Sequence, residues 1–185
     1  MYNSISPRRL ITHLSMALAF GWPGWSLAND LSYIKKEHWK ILSIWLQRNV
    51  SYKLATDADC NCPEDLKRIR TVSEGVWKAQ PKYHPFYMVG DFNGDGADDF
   101  AVVVYQKGAK LNVSVVIFEA HRGASASESE HVPKIVQVPY DLEEVGLFFG
   151  EPRPKPHRLG IGPFESEGGI FVPRGNTYRL EFPNH

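Results

Sequence analysis

Phe100-Ala101-Val102-Val103-Val104-Tyr105-Gln106 is a continuous run of β-branched and aromatic residues. A strand with one wet face alternates apolar and polar residues, so an unbroken run predicts a central strand buried on both faces. Around it, Phe86 to Val89, Val113 to Glu119 and Lys134 to Val138 are short, rich in Val and aromatics, and bounded by turn residues. They read as neighbouring strands. Further on, Gly146 to Gly150, Arg158 to Gly162, Gly169 to Pro173 and Thr177 to Phe182 add short strands. Pro152, Pro154 and Pro156 interrupt any ladder between the first two of these. Arg122 to Glu130, with Gly123 and alternating alanine and serine, reads as a surface loop.

Before Pro81 the period is helical. From Asp30 to Gln47, Leu31, Ile34, Ile41, Leu42, Trp45 and Leu46 recur at helical spacing, with Lys35, Lys36, Glu37 and Lys40 left for the wet face. Asp30 or Ser32 suits the cap. Pro63 to about Val72 predicts a second helix, with Pro63 at its first position, Glu64 and Asp65 at the positive end, and Arg68 and Arg70 at the other. The expected fold class is therefore α+β: two N-terminal helices followed by a mainly antiparallel β-sheet, forming one domain over residues 29–185. No internal repeat is visible.

Between two of the strands lies Gly90-Asp91-Phe92-Asn93-Gly94-Asp95-Gly96-Ala97-Asp98-Asp99. Counting Asp91 as one, oxygen-bearing side chains fall at positions one, three, five and nine: Asp91, Asn93, Asp95 and Asp99. Position seven, Ala97, offers only its backbone carbonyl. Calcium takes six to eight hard oxygens, and alternating residues in a curled loop can aim several at one point. Gly94 and Gly96 permit the curl. Three carboxylates this close repel unless a cation lies between them. Asn-Gly and Asp-Gly are also good metal-free hairpin turns, but a bare turn does not require four oxygen side chains in alternation.

The stretch Gly-Asp-Phe-Asn-Gly-Asp-Gly-x-x-Asp followed by Phe-Ala-Val-Val resembles the calcium loop of FG-GAP and VCBS-type repeats, which build the blades of integrin α-subunit propellers. The resemblance covers only about Met88 to Val104. It implies Ca2+ held by Asp91, Asn93, Asp95, Ala97 (through its carbonyl) and Asp99, in a strand–loop–strand hairpin. A propeller needs several blades and this chain has one loop, so neither the propeller nor integrin-style adhesion is carried over. An EF-hand would need Glu at position twelve, where Val102 stands. The segment from Tyr83-His84-Pro85 into the loop is similar to short bacterial secreted proteins of unknown role.

Residues 1–28 read as a signal peptide. Arg8 and Arg9 give a basic end, Leu10 to Phe20 a mostly apolar run, and Ser26-Leu27-Ala28 a small-residue cleavage site. The expected address is periplasmic or secreted, with no lipoprotein cysteine and no membrane anchor. The chain is 43% hydrophobic, and Lys plus Arg and Asp plus Glu number 21 each. Loss of Arg8 and Arg9 leaves a formal charge two units negative. That balance, without a basic stripe carrying interleaved aromatics, excludes nucleic acid as a partner.

Cys60 and Cys62 are the only cysteines, one residue apart. In an oxidising compartment they read as a small structural disulfide, since exchange enzymes more often place two residues between their cysteines. His84 lies just before the acidic loop, and the other histidines are scattered. No Gly-x-Ser-x-Gly, His-Glu-x-x-His or phosphate-cradling loop is present. Glu143-Glu144 and Glu165 with Glu167 are carboxylate pairs better explained as solvated turns. Phe148, Phe149, Phe164, Phe171, Tyr178 and Phe182 make the last third aromatic, and an exposed subset would suit a protein or glycan partner. The expected function is an exported, calcium-binding, non-enzymatic module, such as a binding, inhibitor or immunity protein. The alternative is a small calcium-dependent periplasmic hydrolase using His84 and a loop carboxylate.

Overall fold

A computed structural model describes residues 31–75, 78–121, 131–143, 145–150, 157–164, 166 and 168–182. The leader, Asn29 and Asp30, the loop 122–130, Glu144, the three prolines at 152, 154 and 156, Glu165 and Glu167 lie outside them.

The apolar run forms β3 (Asp99–Gln106), and it is central. Its partner on one side is β4 (Ala109–Glu119), with Val102 opposite Val116. On the other side β3 is shared lengthwise. Its first half pairs with β2 (Tyr87–Gly90) and its second with β1 (Tyr52–Leu54). β5 (Val132–Gln137) lies beyond β4, and every pairing is antiparallel. A second antiparallel sheet follows in simple succession: β6 (Val145–Gly150), β7 (Arg158–Pro163), β8 (Gly169–Arg174) and β9 (Thr177–Glu181).

Alternation along β3 sends its side chains into two cores. Phe100, Val102 and Val104 pack with Val116 and Phe118 against Ile34, Leu42 and Trp45 of the N-terminal segment. Ala101, Val103 and Tyr105 pack with Val113, Val115 and Ile117 in the core they share with Leu147, Leu159, Ile161 and Phe171 of the second sheet. Phe100 and Phe118 stack with centroids 4.5 Å apart and are essentially unexposed. Each contributes about 1.5–3 kcal/mol by leaving water.

α1 (Lys36–Arg48) buries His38, Leu42 and Trp45 on one stripe and leaves Lys36, Glu37 and Lys40 wet. It begins at Lys36 rather than at residue 30, and Lys35 caps it without a side-chain hydrogen bond. α2 (Pro63–Thr71) has Pro63 in its first turn, with Glu64 and Asp65 there and the arginines in its last turn. Arg70 fastens α2 to the chain entering β2. Its guanidinium donates to the Tyr83 carbonyl at 2.8 and 2.9 Å and pairs with Asp57. From there Tyr83 Oη donates to the Leu147 carbonyl at 2.9 Å, and Leu147 N–H to Pro85 O at 2.7 Å, reaching the second sheet.

The α+β expectation, two N-terminal helices followed by one sheet, is corrected by this architecture. Among the described residues two antiparallel sheets with nine strands dominate, the helices are short, and β1 separates them. Periodicity reports which residues face a core, but not which strands bond to which. Tyr52-Lys53-Leu54 is also too short for any period to show. The chain changes sheets between β5 and β6, where Pro139 can donate no ladder hydrogen bond.

Candidate metal centre

The acidic loop joins β2 to β3, as the turn of a hairpin in register from Gly90 and Asp99. Gly94 and Gly96 take φ of 82° and 87°, a region where a side chain would be strained. Asp91 Oδ1 accepts the Gly94 N–H at 2.8 Å and Oδ2 the Gly96 N–H at 3.0 Å. Asn93 Oδ1 accepts the Asp95 N–H at 2.9 Å, and Asp95 Oδ1 the Ala97 N–H at 2.8 Å. These three oxygen side chains thus wind the loop on its own amides, the local bonding that Asp and Asn favour in turns.

Asp99 does something different. It is fully buried; one oxygen spans the loop to the Phe92 amide and the other leaves it for the Ala120 amide, both at 2.8 Å. The second of these lies just past the end of β4, so Asp99 closes the loop against the neighbouring strand. Burial, reinforced by the charge of Asp95, outweighs those two amides and pushes its carboxyl up to about 6. Asp91 is buried as well, at 2% exposure. Asp95 and Ala97 are half-buried, and Asp98 is exposed.

The loop is also clamped from the second sheet. His157, directly before β7, accepts the Asp91 N–H on Nδ1 at 3.1 Å and donates its own N–H to the Asp91 carbonyl at 2.8 Å. Gly90 makes this approach possible. A Cβ there would lie 2.7 Å from His157 Nδ1 and 2.9 Å from the Phe92 ring.

In chemistry these residues fit a hard divalent cation. The donors are all oxygens, two of the carboxylates are buried, and among the described residues no Lys, Arg or His side chain pairs with Asp91, Asp95 or Asp99. In arrangement the carboxylates are turned onto amides. Among the described residues no three His, Cys, Asp or Glu side chains already form a group that could hold an ion. Asp91, Asn93, Asp95 and Asp99, with the Ala97 carbonyl, are the residues that would hold it. Each amide-bound oxygen retains a second lone pair for that purpose.

The remaining candidates are dispersed. His84 stacks on Tyr33 at 3.8 Å between centroids, and its Nδ1 lies 3.3 Å from both oxygens of Asp57. It precedes β2 and the loop follows β2, so a strand of about 13 Å, at about 3.3 Å per residue, stands between them. Cys60 and Cys62 are joined as a disulfide and are buried in the core with Leu66 and Ala55. Of the C-terminal aromatics, Phe171 and Tyr178 are buried, Phe148, Phe149 and Phe164 half-buried, and Phe182 is 51% exposed. Phe182 borders a groove of about 600 Å³ beside the loop, lined also by Phe92, Asn93, His157 and Arg158. No helix among the described residues is long and apolar enough to cross a membrane.

Sequence reasoning missed Asp57 as the partner of His84, and His157 as the clamp on Asp91. A histidine 66 residues from the loop gives no local signal of that contact. No family model matches the chain, and no curated protein or solved structure matches it.

Proposed function

We propose that this chain is an exported, non-enzymatic module in which calcium in the Asp91–Asp99 loop braces the junction of two sheets, and which presents a surface to a protein or glycan partner, as a binding, inhibitor or immunity protein does. The observation that carries this reading is the burial of Asp91 and Asp99 beside Asp95 without a basic side chain among the described residues pairing with any of them. Buried carboxylates without a counter-charge are costly, and a hard cation is the economical remedy. The groove next to the loop supplies an exposed ring in Phe182 and polar groups in Asn93 and Arg158, a composition suited to recognition. The hydrolase reading has less support, because His84 pairs with Asp57 and lies at the other end of β2 from the acidic loop.

Melting in chelator and in millimolar calcium tests the ion. Binding to the folded form alone stabilises by about 2.7 kcal/mol at a hundredfold excess over Kd. Asp95→Ala removes a central oxygen and abolishes the calcium-dependent rise in Tm. Asp98→Ala preserves it, since Asp98 is exposed and outside the ligand register. Magnesium substitutes poorly because it demands a smaller octahedral shell. Identical melting of the unaltered protein in both conditions rejects calcium.

A further inference from the structure

β5 ends the first sheet and β9 ends the second, and no strand among the described residues pairs with the outer edge of either. Proline fixes which backbone groups those edges carry. Pro173 of β8 stands opposite Tyr178 and has no N–H, so these two cannot be a pair that exchanges hydrogen bonds. Bonding alternates along an antiparallel ladder, so the amides and carbonyls of Tyr178 and Leu180 point away from β8. On β5, Pro133 opposite Phe118 sets the same alternation, and the Val138 N–H, donated to Val113 O at 3.1 Å, agrees with it. Ile135 and Gln137 therefore point away from β4. Pro133 removes one donor from the β5 edge, whereas the outward residues of β9 all keep theirs.

A groove of about 680 Å³ is lined from both strands, by Val136 and Gln137 on one side and by four successive residues, 177–180, on the other. Side chains alternate between the faces of a strand, so successive residues line one groove only along the strand's edge, where the backbone groups point. The two faces at this edge differ in chemistry. Leu180, opposite the buried Phe171, packs with Val136 against the core shared by the sheets. Arg179 lies on the other face, as does Arg174, which stands opposite Thr177. These arginines are the charged residues among the described lining residues, and both are positive. Arg179 is exposed and makes no ion pair among the described residues. Arg174 donates to Glu181 at 2.6 Å, but its side chain is 58% exposed and its fork has further donors.

We propose that this groove takes an extended segment of a partner protein that alternates apolar and acidic residues and adds as a strand to the free edge of β9. In such additions main-chain hydrogen bonds give affinity and alternate side chains give specificity. The outward N–H and C=O groups of Tyr178 and Leu180 supply the first. For the second, the apolar side chains of the segment meet Val136, Leu180 and Phe182, and its carboxylates, on the opposite face, meet Arg174 and Arg179. A period of two in the ligand answers the period of two in the strand. This gives chemistry to the protein partner named above, and it does not depend on the ion, since none of the described lining residues belongs to the acidic loop.

The probe is a capped peptide, as long as β9, that alternates valine with glutamate, and a copy with lysine for glutamate is its control. Each is titrated to millimolar concentration into the unaltered protein, in chelator and again in calcium, and followed by amide hydrogen exchange. The acidic peptide should slow exchange at Leu180, leave the Arg179 amide, already bonded to β8, unchanged, and lose its effect as salt rises. The lysine copy should not slow Leu180. Arg179→Glu, a change at an exposed site, should reverse that preference. Should this variant misfold, the contrast between the two peptides on the unaltered protein decides. Equal binding of both peptides, or of neither, rejects the proposal. A Leu180 amide already protected without peptide rejects it too, sedimentation as a dimer then assigning the edge to a second copy and sedimentation as a monomer to the chain itself. A protein that takes the acidic peptide but melts identically with and without calcium keeps this proposal and loses the calcium reading.

Discussion

His157 and Asp91 exchange two hydrogen bonds across the sheet boundary, ring Nδ1 to amide at 3.1 Å and amide to carbonyl at 2.8 Å. The pair resembles one rung of a ladder, with a side-chain nitrogen replacing one backbone oxygen. Because Nδ1 is the acceptor, the neutral ring carries its proton on Nε2. The acidic loop is therefore more than a hairpin turn on the first sheet. Its first residue belongs equally to the second.

His157→Ala should cost about 1–3 kcal/mol, the range for leaving a buried donor such as the Asp91 amide without its acceptor. Urea unfolding in chelator measures it. An unchanged midpoint would mean that water replaces the ring nitrogen and that the clamp contributes nothing.

Legibility of this fold follows the range of each interaction. Burial of β3 on both faces could be read from the Phe100–Tyr105 run, because strand period and hydrophobicity are local properties. The first turn of α2 could be read from Pro63, Glu64 and Asp65 for the same reason. The division into two sheets could not, since nothing in Val132–Gln137 or Val145–Gly150 states that those strands do not pair. Within the loop, the alternating oxygens of Asp91, Asn93 and Asp95 were legible, whereas the buried role of Asp99 depends on Ala120, and the clamp depends on His157. His38 was hidden differently. It occupies the core stripe of α1, where sequence reading favours an apolar residue.

His38 should make the protein acid-sensitive. Its Nδ1 lies 2.8 Å from Tyr87 Oη, and its ring stacks on Phe100 at 4.2 Å. Burial first, then the positive charge of Lys35 and the neighbouring His131, lowers it to about 4. A folded-state value below the unfolded one of about 6.5 means that the unfolded chain binds the proton more tightly. Its contribution is thus complete above pH 6.5 and lost as pH falls through 4. The full loss is about 3 kcal/mol at about 1.4 kcal/mol per unit. Asp99 acts in the opposite sense, so the contribution of His38 is read from the difference between the unaltered protein and His38→Phe. That variant retains a ring, and Tyr87 Oη still accepts the Lys35 N–H. From pH 7.5 to 4 the difference in urea midpoint should shift in favour of the variant, and parallel curves would show that His38 does not titrate in this window.

The disulfide should contribute little through its loop but something through its place in the core. Cys62 is 2% exposed and Cys60 9%. So few residues enclosed restrain the unfolded chain less than the roughly 2–4 kcal/mol of an ordinary bridge. Replacing both with alanine should therefore be mild. Replacing both with serine places two hydroxyls in the same core and should cost about 1–3 kcal/mol more. Thiol titration of denatured, unreduced protein should find no free cysteine. Equal urea midpoints for the alanine and serine pairs would show that the site is wetter than its burial indicates.

Asp99 and Asp95 should separate the fold's use of the loop from the ion's. In chelator Asp95→Ala loses a half-buried side chain and one turn hydrogen bond, a change within about 1 kcal/mol. Asp99→Ala strips the acceptor from two amides, Phe92 and Ala120, each worth about 1–3 kcal/mol when left unpaired. Against that loss stands relief of a buried charge. The carboxyl rises from its ordinary 3.8 to about 6, which is about 3 kcal/mol of penalty on the ionised form. The net loss at pH 7.5 should be about 1 kcal/mol. The sign of its pH dependence is fixed by linkage. A raised folded-state value stabilises the unaltered protein as pH falls through 6 towards 3.8, an advantage that alanine cannot share. The gap between the two proteins in chelator should therefore widen from pH 7.5 to 5. A gap that narrows would mean that Asp99 is held as the anion by its two amides, and that burial is the weaker force at this site.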